Sequence, residues 1–148
     1  MYKKILVPID GSATSSRGLA EAMKLAGEQR AKIRLIHVVN ELMVVASYEG
    51  TIFTGELITA LRDSGTKLLE RAKQQVSDAG IAVECELLEA RGGQAGSTIA
   101  HDAEKSQADL IVLGTHGRRG LSRMVMGSDA EQVVRSAKVP VLLVRAAD

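Results

Sequence analysis

The sequence predicts one α/β domain built on an open, five-stranded parallel sheet with helices on both faces. Three observations carry this. Short apolar runs alternate with helical patterns from one end of the chain to the other. The run Ala108–Leu113 (ADLIVL) is apolar nearly throughout, as a strand covered on both sides must be. The chain has 148 residues, 45% of them hydrophobic and 25% charged, which suits a single domain spanning residues 1–148.

The elements follow in order. Lys4–Ile9 (KILVPI) reads as the first strand, closed by Asp10-Gly11. Ser12 to Ser16 offer several caps, and Leu19, Met23 and Ala26 then fall at helical spacing, with Gly27 near the expected end. Lys32–Val39 (KIRLIHVV) is the second strand. Asn40–Thr54 fits neither period and reads as an irregular segment packing Val45, Ile52 and Phe53 on the sheet, with a lid or partner surface as the alternative. Leu57, Ile58, Leu61, Leu68, Leu69, Ala72 and Val76 form the stripe of a long second helix, closed by Gly80. Val83, Cys85 and Leu87 alternate with Glu84 and Glu86, so the third strand has one wet face and lies near a sheet edge. Arg91-Gly92-Gly93 is a turn before a short helix marked by Ile99, Ala100 and Ala103. Ala108–Leu113 is the fourth strand. Ala130, Val133, Val134 and Ala137 mark the last helix, and Val139–Val144 (VPVLLV) the fifth strand. Pro140 cannot donate to a ladder, which places that strand at an edge.

Composition excludes several functions. Lys and Arg total 19 against 18 Asp and Glu, so the net charge is +1, without the basic excess of a nucleic-acid surface. Aromatic residues are 2% of the chain and Trp is absent, which removes base-stacking platforms. One cysteine makes neither an internal disulfide nor a cysteine metal cluster. No apolar run approaches the roughly 20 residues of a membrane-spanning helix, and the N-terminal run is too short for a signal peptide. A cytoplasmic protein is expected. The 14 glycines are the informative feature, because glycine lets a ligand approach the backbone.

They concentrate after the fourth strand. Gly114 and Gly117 enclose two residues, Gly117 and Gly127 enclose nine, and Ser128 follows. This stretch starts where a strand ends and stops where a helix begins. In parallel sheets ligands bind beyond the carboxyl ends of strands, and there backbone N–H groups and a helix N-terminus can hold a phosphate. G-x-x-x-x-G-K-[ST] is absent, so this is no P-loop; G-x-G-x-x-G is absent too, which disfavours a dinucleotide site.

The chain resembles the universal stress protein family, ATP-binding branch. The resemblance runs from KILVPIDGS through LIHVV and G-2x-G-9x-G-[ST] to KVPVLLVR. It implies strand order 3-2-1-4-5, a Rossmann-like sheet of the adenine nucleotide alpha hydrolase type, with a crevice where the order reverses between strands 1 and 4. It also implies ATP, with Mg²⁺, as the ligand. Pro8, Ile9 and Asp10 would lie against the nucleoside, with the Asp10 carboxylate accepting from ribose hydroxyls. Val38 would meet adenine through backbone groups, with Leu113 flanking. Gly114, Gly117, Gly127 and Ser128 would hold phosphates. Relatives carry a small or apolar residue where this chain has Asp129. A carboxylate beside a triphosphate calls for a cation or an arginine; Arg118, Arg119 and Arg123 stand in the same loop, and Asp129 could share in holding Mg²⁺. The family further implies a homodimer through strand 5, Val139–Val144, and dimers that associate further.

Plainer readings stand beside these. Ser128 with Glu131 spells a capping box, and Asp10-Gly11-Ser12 a turn and a helix cap. His37 reads as a hydrogen-bonded sheet histidine, His101 as a surface residue, and His116 as the one histidine near the phosphates. Cys85 reads as an inert thiol on the apolar face of its strand. The resulting expectation is an ATP-binding stress-response or regulatory module acting on an unknown protein partner. The alternatives are a slow ATPase or phosphotransfer protein, for which no paired base is evident, and a partner-binding protein without nucleotide.

Overall fold

The computed structural model describes residues 1–42, 54–116 and 126–145. Within these, five strands and four helices alternate: β1 (Lys4–Pro8), α1 (Ala13–Gln29), β2 (Lys32–Val39), α2 (Thr54–Asp78), β3 (Val83–Glu89), α3 (Ala95–Lys105), β4 (Leu110–Gly114), α4 (Ser128–Ser136) and β5 (Val141–Val144). All pairings are parallel and the sheet order is β3-β2-β1-β4-β5, with β3 and β5 at the edges. Ile5 stands opposite Ile33 on one side and Leu110 on the other, so the register sets apolar against apolar across the centre.

Alternation along each strand divides the core into two layers. Ile5 and Val7 of β1, with Ile33, Leu35, Leu110 and Val112, pack under Leu19, Ala22 and Ala26 of α1 and Leu69, Ala72 and Val76 of α2. Leu6, Ile36, Ile111 and Leu113 point the other way, onto Ile99 and Ala103 of α3 and Ala130 and Val133 of α4. Each of the central strand side chains Ile5, Leu6, Val7, Ile111 and Val112 is fully buried, worth roughly 1.5–3 kcal/mol apiece.

Gly27 lies near the end of α1, as expected, and other details differ from the sequence expectation. The helix stops at Arg30, which adopts φ 55° and donates its N–H to Ala26 O. β5 starts after Pro140, whose carbonyl still accepts the Ile111 N–H at 3.0 Å although it has no N–H to give. Val134 was expected in the apolar stripe of α4 and is instead 45% exposed; Ala130 and Val133 alone fill that helix's buried side. The Asn40–Thr54 reading concerns a segment whose residues 43–53 lie outside the described residues.

The wet face of β3 proves half engaged. Arg34, on β2 and 8% exposed, forms two 2.7 Å hydrogen bonds to Asp102 of α3, through Nε and through one terminal nitrogen. The same guanidinium reaches Glu86 at 2.5 Å and Glu84 at 3.5 Å. Asp102 is 3% exposed, so a buried ion pair ties α3 to the sheet. Alternation had marked Glu84 and Glu86 as solvated; their arginine lies on another strand, where no local pattern links them.

Candidate functional site

Every strand of a parallel sheet ends at the same edge, so the residues that directly follow β1, β2, β3 and β4 leave the sheet there. The loop after β1 is tightly wound. The Ser12 N–H donates to Asp10 Oδ1 at 2.8 Å, and Gly11 between them takes φ 82°, a conformation glycine adopts at no steric cost. Ser12 caps α1 by accepting from the Ser15 N–H at 3.1 Å, and the Ser15 hydroxyl accepts from the Asp10 N–H at 3.1 Å. The turn-and-cap reading is therefore correct, and it holds Asp10 half-buried just beyond the end of β1.

The β4 side is built against this loop. Gly114 ends β4 with no room for a side chain: a methyl there would lie 2.8 Å from the Thr14 carbonyl carbon. Gly114 thus has a packing reason that its motif did not reveal. Thr14, 7% exposed, donates its hydroxyl to His116 O and so joins the two loops directly. The Thr115 N–H donates to Val144 O at 2.9 Å, and Thr115 O accepts from the Gly127 N–H at 2.8 Å, which pins the start of α4 to the end of β4. His116 Nδ1 lies 2.9 Å from Thr115 Oγ1, while its Nε2 is buried with no hydrogen-bond partner among the described residues.

Gly127 is the N-cap of α4, with φ −61° and ψ 152°, and Ser128 is the first helical residue. The capping-box reading of Ser128 is thereby corrected. Its hydroxyl sits one position too late to cap, and Glu131 pairs instead with Arg135 at 2.7 Å, one turn on. A glycine N-cap leaves the first turn with no side-chain cap hydrogen bond. Ser128 and Asp129 are exposed, and Asp129 and Glu131 place carboxylates in that turn.

The remaining expected positions divide. Pro8 is half-buried at the end of β1, and Val38 is half-buried near the end of β2. Ile9 and Leu113 are each 5% exposed, with side chains in the core, so only their backbone can meet a ligand; Ile9 O already lies 2.7 Å from His37 Nδ1. Gly117, Arg118, Arg119 and Arg123 lie outside the described residues. His37 is the buried sheet histidine expected, His101 is exposed on α3, and Cys85 is half-buried against the core. Sequence reasoning missed Thr14 and Gly18. Gly18 stands against the Leu113–Gly114 backbone, and a glycine inside a helix was the available signal of such an approach.

Among the described residues, no group of three or more His, Cys, Asp or Glu side chains is placed to hold a metal ion, and no helix is long and apolar enough to cross a membrane. An open groove of about 540 Å³ lies away from this edge, between α1 and α2, lined by Met23, Gly27 and Ile81. A smaller hollow of about 130 Å³ adjoins the Asp10 loop, lined by Ile9, Gly11, Ser15 and Arg71.

A doubly wound sheet with a glycine-bearing loop at its switch point defines a class of α/β ligand-binding domains. Comparison with known proteins narrows it. The model of the universal stress protein family matches residues 1–145, and the chain belongs to that family. It is 38% identical to universal stress protein MJ0531 of Methanocaldococcus jannaschii over 148 residues, 98% of this chain and 83% of that one. It is 36% identical to universal stress protein YxiE of Bacillus subtilis, over 98% of this chain and all of the relative. The solved structure of MJ0577 superposes with a TM-score of 0.86 at 28% identity, covering 100% of this chain and 99% of that chain. Two more distant structures share the fold. One is the universal stress protein from Archaeoglobus fulgidus in complex with dAMP (TM-score 0.67, 24% identity, 97% of this chain and 98% of that one). The other is a universal stress protein in complex with cAMP (TM-score 0.66, 22% identity, 99% and 98%).

Proposed function

We propose that this protein binds an adenine nucleotide, ATP with Mg²⁺, in the crevice between β1 and β4, and acts as a nucleotide-dependent regulatory module. One observation carries the reading: the Asp10 loop and the Gly114–Gly127 boundaries, far apart in sequence, are locked together at one sheet edge. The Thr14–His116 and Thr115–Gly127 hydrogen bonds make that lock. Three further features support it. The first turn of α4 starts on a glycine N-cap, which has no side chain of its own to cap it, and this suits an anion. His116 Nε2 is a buried polar atom with no hydrogen-bond partner among the described residues. Two proteins of the same fold were solved with dAMP and cAMP.

In this reading Asp10 accepts from the ribose, Val38 presents backbone to adenine, and Pro8, Ile9 and Leu113 shape the pocket. Gly114, Gly117, Gly127 and Ser128 hold phosphates, and Arg118 supplies charge. Bound ATP contributes its charge and its contacts, and no bond in it need break for it to bias the protein between states. It does so only by binding those states unequally. The protein works as a homodimer through β5, which pairs with no strand on its outer side among the described residues and whose Leu142 is 36% exposed.

The test is calorimetric titration of nucleotide-stripped protein with Mg-ATP. Gly127→Val is the control, since φ −61° admits a side chain without backbone strain. Wild type is expected to bind, and the variant to stay folded while losing at least roughly tenfold in affinity, about 1.4 kcal/mol. A folded wild type that binds no adenine nucleotide overturns the reading in favour of a partner-binding protein.

A further inference from the structure

Helix α3 begins without a side-chain cap of its own. Gln94 occupies its N-cap position, and the Gln94 side chain makes no capping hydrogen bond. Ser97 lies in the first turn, where backbone N–H groups have no intrahelical acceptor. Its N–H is met by Gln132 Oε1 at 3.1 Å, from α4. The Gln132 amide nitrogen donates to Gln94 Oε1 at 2.9 Å, and that oxygen also accepts the Ser97 hydroxyl at 3.1 Å. One α4 side chain therefore closes the amino end of α3.

The backbones meet at the same place. Gly96 is buried, and a methyl there would lie 2.7 Å from both Asp129 O and Gln132 Cβ. Only a residue without a side chain lets the first turn of α3 touch the first turn of α4. On its other flank that turn is held by the Gly127 N–H on Thr115 O. The turn carrying Gly127, Ser128 and Asp129 is thus gripped from two sides, by β4 and by α3.

We propose that Gln132 is a positioning residue for the nucleotide site: by capping α3 from α4, it fixes the α4 turn on which the phosphates rest. This rests on the nucleotide reading above. Gln132 lies one helical turn beyond Ser128 and acts through the backbone, not on the ligand. The coupling is reciprocal. A ligand that immobilises the first turn of α4 also suppresses local opening at the start of α3.

The experiment combines calorimetry with amide hydrogen exchange by NMR, on wild type and on Gln132→Met, which keeps an unbranched side chain of similar bulk. In wild type, saturating Mg-ATP slows exchange of the Ser97 amide several-fold. In Gln132→Met the Mg-ATP affinity falls roughly fivefold to tenfold, about one net hydrogen bond, and ATP no longer protects Ser97. The thermal midpoint of the ligand-free variant confirms that it folds. A purely structural role would speed Ser97 exchange in the variant yet leave the Mg-ATP affinity unchanged, and that result overturns the proposal. Wild type that binds Mg-ATP without slowing Ser97 exchange overturns it as well. Wild type that binds no nucleotide overturns the nucleotide reading itself, and this inference with it. A variant that does not fold passes the decision to Gln94→Ala, which leaves the Gln132–Ser97 bond in place but removes the partner that orients the amide. Its Mg-ATP affinity then falls if the proposal holds and stays unchanged if it does not.

Discussion

Single residues answer to packing before they answer to any ligand. Two glycines make the contrast. Gly27 sits in the body of α1 with nothing within 4 Å of where a Cβ would stand. Gly27→Ala is expected to stabilise the protein by about 0.4–1 kcal/mol, through helix propensity and a less flexible unfolded chain. Gly114→Ala drives a methyl onto the Thr14 backbone, which cannot rotate away as a side chain can. It is expected to cost about 1–3 kcal/mol. Urea unfolding of both variants checks the opposite signs. Asp129 is a different case, an exposed carboxylate in the first turn of α4. Asp129→Asn removes a negative charge beside the proposed phosphate site, so Mg-ATP affinity should rise and depend less on Mg²⁺. Titrations with and without the cation read this directly, and a loss of affinity would mean that the carboxylate helps hold the metal.

Among elements, α3 is held to the sheet by charge as well as by apolar contact. Arg34 and Asp102 are both buried, and the Arg34 guanidinium is held well above its ordinary pKa, first by its hydrogen bond to Asp102 and then by Glu86. Asp102→Ala leaves that cation buried with weaker partners and is expected to cost about 3–5 kcal/mol in chemical denaturation. Replacing both partners with apolar residues of similar volume should cost much less. Glu84 gives the pH dependence. Its carboxyl is held below its ordinary value of 4.5, chiefly by the hydrogen bond from Lys32, with Lys4 and Arg34 adding charge. A lowered folded pKa means that the unfolded state takes up the proton first. The stabilisation is therefore present in full above pH 4.5 and is lost as pH falls through the folded value. Glu84 is a third exposed, so the effect is small. Acid unfolding of Glu84→Gln should be correspondingly flatter than that of wild type below pH 4.5.

Among the described residues β5 is one of the sheet's two edge strands, while the candidate site lies at the carboxyl ends of β1 and β4, so the proposed pairing through β5 uses a different part of the sheet. Leu142→Lys places a charge in the proposed joint, and sedimentation should then find monomers where wild type is expected to give dimers. How much of this was legible in the sequence follows from the range of each interaction. Strand and helix identities depend on period, which neighbouring residues carry, and β2 was read at Lys32–Val39, as found. Element ends were less exact: Gly27 marked the end of α1 to within two residues, while Pro140, read inside the fifth strand, falls outside β5. The family and its strand order were legible because the glycine spacing and the two termini match a known pattern. The sequence by itself thus determined an α/β sheet, its two apolar layers and a glycine-marked switch point, all properties written in local order. Only the tertiary structure decided that Arg34 meets Asp102, that Thr14 reaches His116, and that Gln132 caps α3. Each joins residues from different elements, and which residues meet is fixed by how the helices pack across the sheet.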